Sequence, residues 1–215
     1  MRGPAPSPFL RRTSKRRQID FEIMEEWIEE GSRVLDLGCG RGVLLRELRE
    51  KKNVRGIGVD SSPEKVASCI RKGVNVFQGD VSEAMDLLAP GSFDYVVFSR
   101  TLEMIGEPGQ VIRRALELGR SVLVGAINRG YWLNRLHYAL RGRSVRNDVY
   151  PLHWEESPLT NHLSVGEIAR FVERNGLRIE RSVYLRGDWR TPCRLLPEWR
   201  AGYAIFEISS ADDGS

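Results

Sequence analysis

Val34-Leu-Asp-Leu-Gly-Cys-Gly-Arg-Gly42 decides the fold of this chain. An apolar run ends in glycines at 38, 40 and 42, and Val43–Glu50 then carries Leu44, Leu45 and Leu48 at helical spacing. That pattern predicts a strand over Arg33–Leu37, a sharp bend, and a helix. Without a Cβ, glycine lets the backbone turn tightly and lets a ligand approach the chain closely. The helix that follows points unbonded N–H groups and the positive end of its dipole at the same place.

The residues at the bend select among ligands. A dinucleotide fingerprint G-x-G-x-x-G beginning at Gly38 requires glycine at 43, where Val43 stands. Asp36 at the strand end would repel a pyrophosphate and attract the ammonium of an amino-acid moiety. The stretch therefore points to S-adenosylmethionine over NAD. A second apolar run ends in Gly58-Val59-Asp60, which places Asp60, with Ser61 beside it, to accept from both ribose hydroxyls. A third ends in Gln78-Gly79-Asp80-Val81, with Asp80 set to accept from the adenine amino group and Val81 to cover the ring. An Asp at a strand end also serves as a turn former or helix cap, and that reading stays open for all three. The expected cofactor side is Asp36, Gly38, Cys39, Gly40, Asp60, Ser61, Asp80, Val81 and Ser99, with Cys39 a small filler of the loop.

Outward from the bend, strands and helices alternate. Phe21–Glu29 has a helical apolar stripe. Val54–Val59 is strand two, and Ser62-Pro63-Glu64 opens a helix reaching about Lys72, with Gly73 as its stop. Val74–Gln78, Phe93–Ser99 and Ser121–Ile127 are strands three to five, with a helix near Gly109–Leu118. Ser164–Asn175 is a further helix, and Leu177–Leu185 and Gly202–Ser209 are two strands with no helical pattern between them. Nearly uniform apolar strands between helices predict an α/β, Rossmann-like, mostly parallel sheet covered on both faces, closed by an antiparallel pair at its edge.

The chain has 215 residues, 41% hydrophobic and 29% charged, which suits one domain with short extensions. Its net charge of +4 is concentrated at the start: Arg2, Arg11, Arg12, Lys15, Arg16 and Arg17 precede the first acid, Asp20. Residues 1–17 are expected to be a basic, disordered leader, 18–210 the domain, and 211–215 a tail. Neither a nucleic-acid partner nor a membrane is expected, and a cytoplasmic location follows from the absence of any apolar run of spanning or signal length. Cys39, Cys69 and Cys193 form no CxxC pair and lack ligand spacing with the three histidines, so no metal site is expected.

The chain resembles class I methyltransferases, and more closely the MetW family of methionine-biosynthesis proteins. The resemblance rests on Gly31-Ser-Arg-Val-Leu-Asp-Leu-Gly-Cys-Gly40, Cys69-Ile-Arg-Lys-Gly-Val-Asn-Val76, Phe93-Asp-Tyr-Val-Val97, Ser99-Arg-Thr-Leu102, Trp154-Glu-Glu-Ser-Pro158 and Asn161-His-Leu163. It implies a seven-stranded methyltransferase fold, S-adenosylmethionine as ligand, and association with a homoserine O-acyltransferase.

Methyl transfer is an in-line displacement governed by positioning, and it needs a base only when the acceptor has a proton to lose. No fixed catalytic signature is present. The segment 128–163 is the expected substrate lid, rich in aromatic residues that shape a pocket, form a cap core or make a protein interface. His162 and Tyr131 are the catalytic candidates, although His162 reads more readily as a structural hydrogen-bonding residue. Arg100, Asn128, Trp132 and Trp154 are the substrate-side candidates. The five arginines between 129 and 146 are either an anion site or a solvated rim. Three functions follow: a small-molecule methyltransferase, a non-catalytic partner of a homoserine O-acyltransferase, or an RNA methyltransferase using the basic leader.

Overall fold

The computed structural model describes residues 19–142 and 161–211. The basic leader, Trp154 and most of the terminal tail lie outside them. Helix α1 spans residues 19–27. It is followed by β1 (Arg33–Leu37), α2 (Val43–Lys52), β2 (Arg55–Asp60), α3 (Pro63–Arg71), β3 (Asn75–Gln78), α4 (Val81–Asp86), β4 (Phe93–Ser99), α5 (Pro108–Leu118) and β5 (Gly119–Ile127). Then come α6 (Trp132–Arg141), α7 (Val165–Arg174), β6 (Leu177–Leu185), α8 (Pro197–Arg200) and β7 (Tyr203–Ser210). The strands form one sheet in the order β3-β2-β1-β4-β5-β7-β6. β7 runs antiparallel to both β5 and β6, so the edge pair expected from the sequence is present, with the reversed strand one place in from the edge.

Successive residues of a strand face opposite sides, and the apolar runs use both. Leu35, Leu37, Val96, Phe98, Val122, Val124, Phe206 and Ile208 pack on one side with Val111, Ile112 and Ala115 of α5 and Val165, Ile168 and Val172 of α7. Val34, Tyr95, Val97, Leu123, Tyr203 and Ile205 pack on the other with Met24, Trp27 and Ile28 of the α1 segment and Leu44, Leu45 and Leu48 of α2. Asp36 alternates with Leu35 and Leu37, pairing in register with Gly58 of β2 and Val97 of β4. It therefore belongs to the side that α1 covers.

The local signals act through backbone chemistry. Gly73 takes φ 66° and ends α3: its N–H donates to the Ile70 carbonyl, and that of Val74 to Cys69, the paired bonds of a Schellman stop. Two helices escaped the sequence reading. α4 has six residues, and α8, between β6 and β7 where no helix was expected, has four. Neither is long enough to establish a 3.6-residue period. α6 falls inside the expected lid, where its apolar residues stand largely exposed and only Asn134 is buried.

Asn128, expected on the substrate side, is instead a junction of the framework. It has no solvent exposure, and its side-chain amide donates to the carbonyls of Ala201 (2.8 Å) and Glu198 (3.1 Å). Its carbonyl accepts from Gly130 (3.0 Å) and Val165 (3.2 Å), so the end of β5, the start of α7 and α8 meet on one residue. Removing it takes the partner from four backbone groups, two of them in fully buried bonds. Asn128→Ala should lower the free energy of unfolding by roughly 3 kcal/mol in urea titration; a loss below about 1 kcal/mol would show that water replaces the amide at little cost.

Candidate active site

The glycine bend has the shape expected of it. Gly38, Gly40 and Gly42 have φ of 80°, 59° and 67°. A Cβ at Gly38 would run into the side chain of Thr101, so the turn after β4 closes directly onto the bend. Gly42 stands at the N-terminus of α2, and no side chain caps that end. Cys39 packs against Gly58, where any Cβ would collide with it, and burial pushes its thiol up, away from thiolate reactivity. It fills space.

Three carboxylates gather at the adjoining strand ends. Asp60 is buried and satisfied: its oxygens accept from the backbone N–H of Gly40 (3.0 Å) and Ser62 (2.9 Å), and Lys65 lies 3.2 Å away. Asp20, at the start of α1, is 1% exposed and also satisfied, accepting from Ser99 Oγ (2.5 Å) and the Tyr203 hydroxyl (2.7 Å). Asp36 is different. It is 3% exposed, and no hydrogen bond or ion pair from a described residue reaches its carboxylate. Burial, followed by the charges of Asp20 and Asp60, raises its pKa from 3.8 to about 7. Among the described residues, the fold thus holds a buried carboxylate with no cation beside it.

Asp20 is the site residue that the sequence reading missed. It joins Ser99, predicted for the cofactor side, to Tyr203 on β7, whose ring stacks on Trp189 at 4.4 Å between centroids. The room comes from Gly125 on β5, where a Cβ would strike both the Tyr203 hydroxyl and Asp20. Burial raises the Tyr203 pKa well above its usual value. The phenol stays protonated and donates.

The other predicted residues fall in different places. Asp80 caps α4, accepting from the Ser82 N–H at 2.8 Å, the alternative that the sequence left open. Val81 is buried in the core beneath the sheet, and Ser61 is exposed at the end of β2. Arg100 is half-buried beside Ser99, with its guanidinium 5.8 Å from the Trp189 ring centre. Tyr131 lies against Gly187, near Trp189 in the chain, and Trp132 is partly exposed beside it. His162 is exposed, next to Asn161, whose side-chain amide donates to the carbonyls of Leu102 (3.3 Å) and Ile105 (2.6 Å). The structure brings together Asp36, Gly38, Cys39, Gly40, Asp60 and Ser99, and adds Asp20. Among the described residues no group of His, Cys, Asp and Glu could hold a metal ion, and no helix is long and apolar enough to cross a membrane.

Comparison with known proteins agrees with this architecture. A family model described as methionine biosynthesis protein MetW matches residues 18–208. The chain is 26% identical over 175 residues to the bifunctional methionine biosynthesis protein MetXA/MetW of Rhodopirellula baltica, covering 77% of this chain and 28% of that protein. It is 36% identical over 115 residues to the ubiquinone biosynthesis O-methyltransferase of Pseudomonas aeruginosa, covering 48% of this chain and 50% of that one. It thus spans half or less of these curated relatives. Among solved structures it is similar to magnesium protoporphyrin IX methyltransferase from Synechocystis with bound SAH, at a TM-score of 0.68 and 18% identity, over 97% of this chain and 90% of that one. The fold is the Rossmann-like fold of class I methyltransferases. Within it, the chain belongs to the MetW family.

The state of Asp36 has a measurable consequence. Its pKa is higher folded than unfolded, so between about pH 4 and 7 the ligand-free folded chain holds a proton that the unfolded chain has released. Stability from this group is present in acid and lost as pH rises to 7. Relative to Asp36→Asn, the wild-type chain should lose roughly 2–3 kcal/mol of unfolding free energy between pH 5 and 7, measured in urea. Parallel profiles for the two would contradict an uncompensated carboxylate.

Proposed function

We propose that this chain binds S-adenosylmethionine at the glycine bend and transfers its methyl group to a small molecule in a reaction linked to methionine biosynthesis. The observation that carries the reading is the Asp36 carboxylate, buried and without a partner among the described residues beside two carboxylates that have theirs. A cationic ligand offsets that burial; a pyrophosphate aggravates it. Asp36 takes the ammonium of the amino-acid moiety, Asp60 the ribose hydroxyls, and the bend from Gly38 to Gly42 lets the backbone approach the ligand. When bound, the cofactor supplies a methyl group made electrophilic by its sulfonium. The chain's own part is to orient the acceptor and exclude water, and Ser99, held by Asp20 at the end of β4, is suited to that positioning.

A second reading has its own support. The Rhodopirellula relative carries MetXA and MetW in one polypeptide, which favours a chain that acts on a homoserine O-acyltransferase by contact. In that case ligand binding persists without turnover.

Calorimetry with S-adenosylmethionine and S-adenosylhomocysteine tests what both readings share. Binding is expected, strengthening from pH 6 to 8 as Asp36 ionises, and Asp36→Ala should weaken it at pH 8 at least tenfold. Folded wild-type protein that takes up neither ligand would sink the proposal. Methyl release with candidate acceptors, set against co-purification with a homoserine O-acyltransferase, separates enzyme from accessory protein.

A further inference from the structure

Two residues near the bend hold backbone conformations that side chains rarely adopt, and they face each other. Arg100 has φ 57° and Trp189 φ 59°, with the guanidinium carbon 5.8 Å from the indole centre. Such conformations persist where the surroundings over-determine them, and they concentrate at functional sites. Both are firmly held. The Arg100 N–H donates to the Gly125 carbonyl at 2.8 Å. Trp189 is almost fully buried, stacked on Tyr203, and sits inside a turn in which Asp188 accepts from the N–H groups of Arg190 and Thr191.

The positive charge so placed lacks a carboxylate. No described residue forms an ion pair with Arg100, and its Nε is buried without a hydrogen-bond acceptor. Arg100 lies in the field of Glu103, but that carboxylate accepts from the Ile127 N–H at 2.7 Å, and burial raises its pKa. Among the lid arginines, Arg135 is differently engaged: it donates to the Gly130 carbonyl and lies over the Trp199 ring. The unpaired cation belongs to the strand-end turn, one residue from Ser99 and one from Thr101, which closes on Gly38.

The geometry points to Arg100 as the specificity residue for the methyl acceptor, recognising a carboxylate on a small organic molecule. The inference rests on the cofactor reading above and names the acceptor's class. A guanidinium offers two parallel N–H donors to a planar carboxylate, and Trp189 behind it limits the guanidinium's freedom. Asp36 then takes the cation of one ligand, and Arg100 the anion of the other, on neighbouring strand ends.

Benzoate, benzamide and inorganic phosphate are suitable probes, titrated against the full chain with and without S-adenosylhomocysteine, following tryptophan emission. Benzoate should bind at least tenfold more tightly than benzamide and more tightly than phosphate, and Arg100→Gln should erase the preference. The wild-type comparison carries the test even if that variant does not fold. Equal binding of benzoate and benzamide, or an unchanged preference in folded Arg100→Gln, would overturn the assignment. A preference for phosphate would overturn the carboxylate class. If S-adenosylhomocysteine binds and benzoate shows no preference, this inference falls and the cofactor reading stands. If benzoate is preferred and S-adenosylhomocysteine does not bind, the anion site stands and the cofactor reading falls.

Discussion

A carboxylate removed from water costs several kcal/mol unless a partner offsets it, and this fold brings three of them to one place. Two are compensated from within: Asp60 by the N–H groups of Gly40 and Ser62, Asp20 by the hydroxyls of Ser99 and Tyr203. Their negative charges act on the third. Asp36 stands in their combined field without a donor among the described residues, and a proton is what it can take up near neutral pH. The rest of the architecture follows from keeping this arrangement in place. Parallel strands put their carboxyl ends on one edge, α1 closes over that edge, and glycines at 38, 58 and 125 make room where side chains would collide. A site that disfavours its own empty state favours whatever cation enters it.

How much of this was legible differs residue by residue. The boundaries of β1, β4 and β6 were readable to the residue: β1 and β4 as largely apolar runs that end at glycine or polar residues, β6 because Gly176 marks its start. Asp36 and Asp60 were readable because each ends such a run at a bend. Asp20 was not. In sequence it is the first acid after a basic stretch and precedes an apolar stripe, which reads as a helix start. Its role arises from Tyr203, 183 residues away, and no local pattern encodes that contact. Asn128 was seen as a polar residue at a strand end, but its partners include carbonyls 70 and 73 residues later. Trp189 was invisible for another reason: its importance lies in a left-handed backbone, which sequence suggests only for glycine or asparagine.

Framework and chemistry are divided along the same strand ends. Asn128 fixes the near foot of the segment that leaves β5. Asn161 fixes the far foot, its N–H donating to the Glu103 carbonyl at 2.6 Å and its amide to Leu102 and Ile105. Both feet therefore converge on the turn after β4, where the Glu103 side chain also receives the Ile127 N–H. That turn carries Arg100 and Thr101, the first against Trp189 and the second against Gly38.

This convergence constrains how the segment 128–163 can influence the site. Whatever it covers, its two ends are tied by hydrogen bonds to the piece of backbone that positions Arg100, and the same piece closes the bend at Gly38. A displacement of either foot must move the turn, and the turn cannot move without disturbing Thr101 on Gly38 and the strained pair formed by Arg100 and Trp189. The proposed acceptor side and the cofactor side are thus one mechanical unit, only a few residues long. Coupling between them needs no long path through the sheet. It follows from both sites sharing a turn that the packed strands on either side hold rigid.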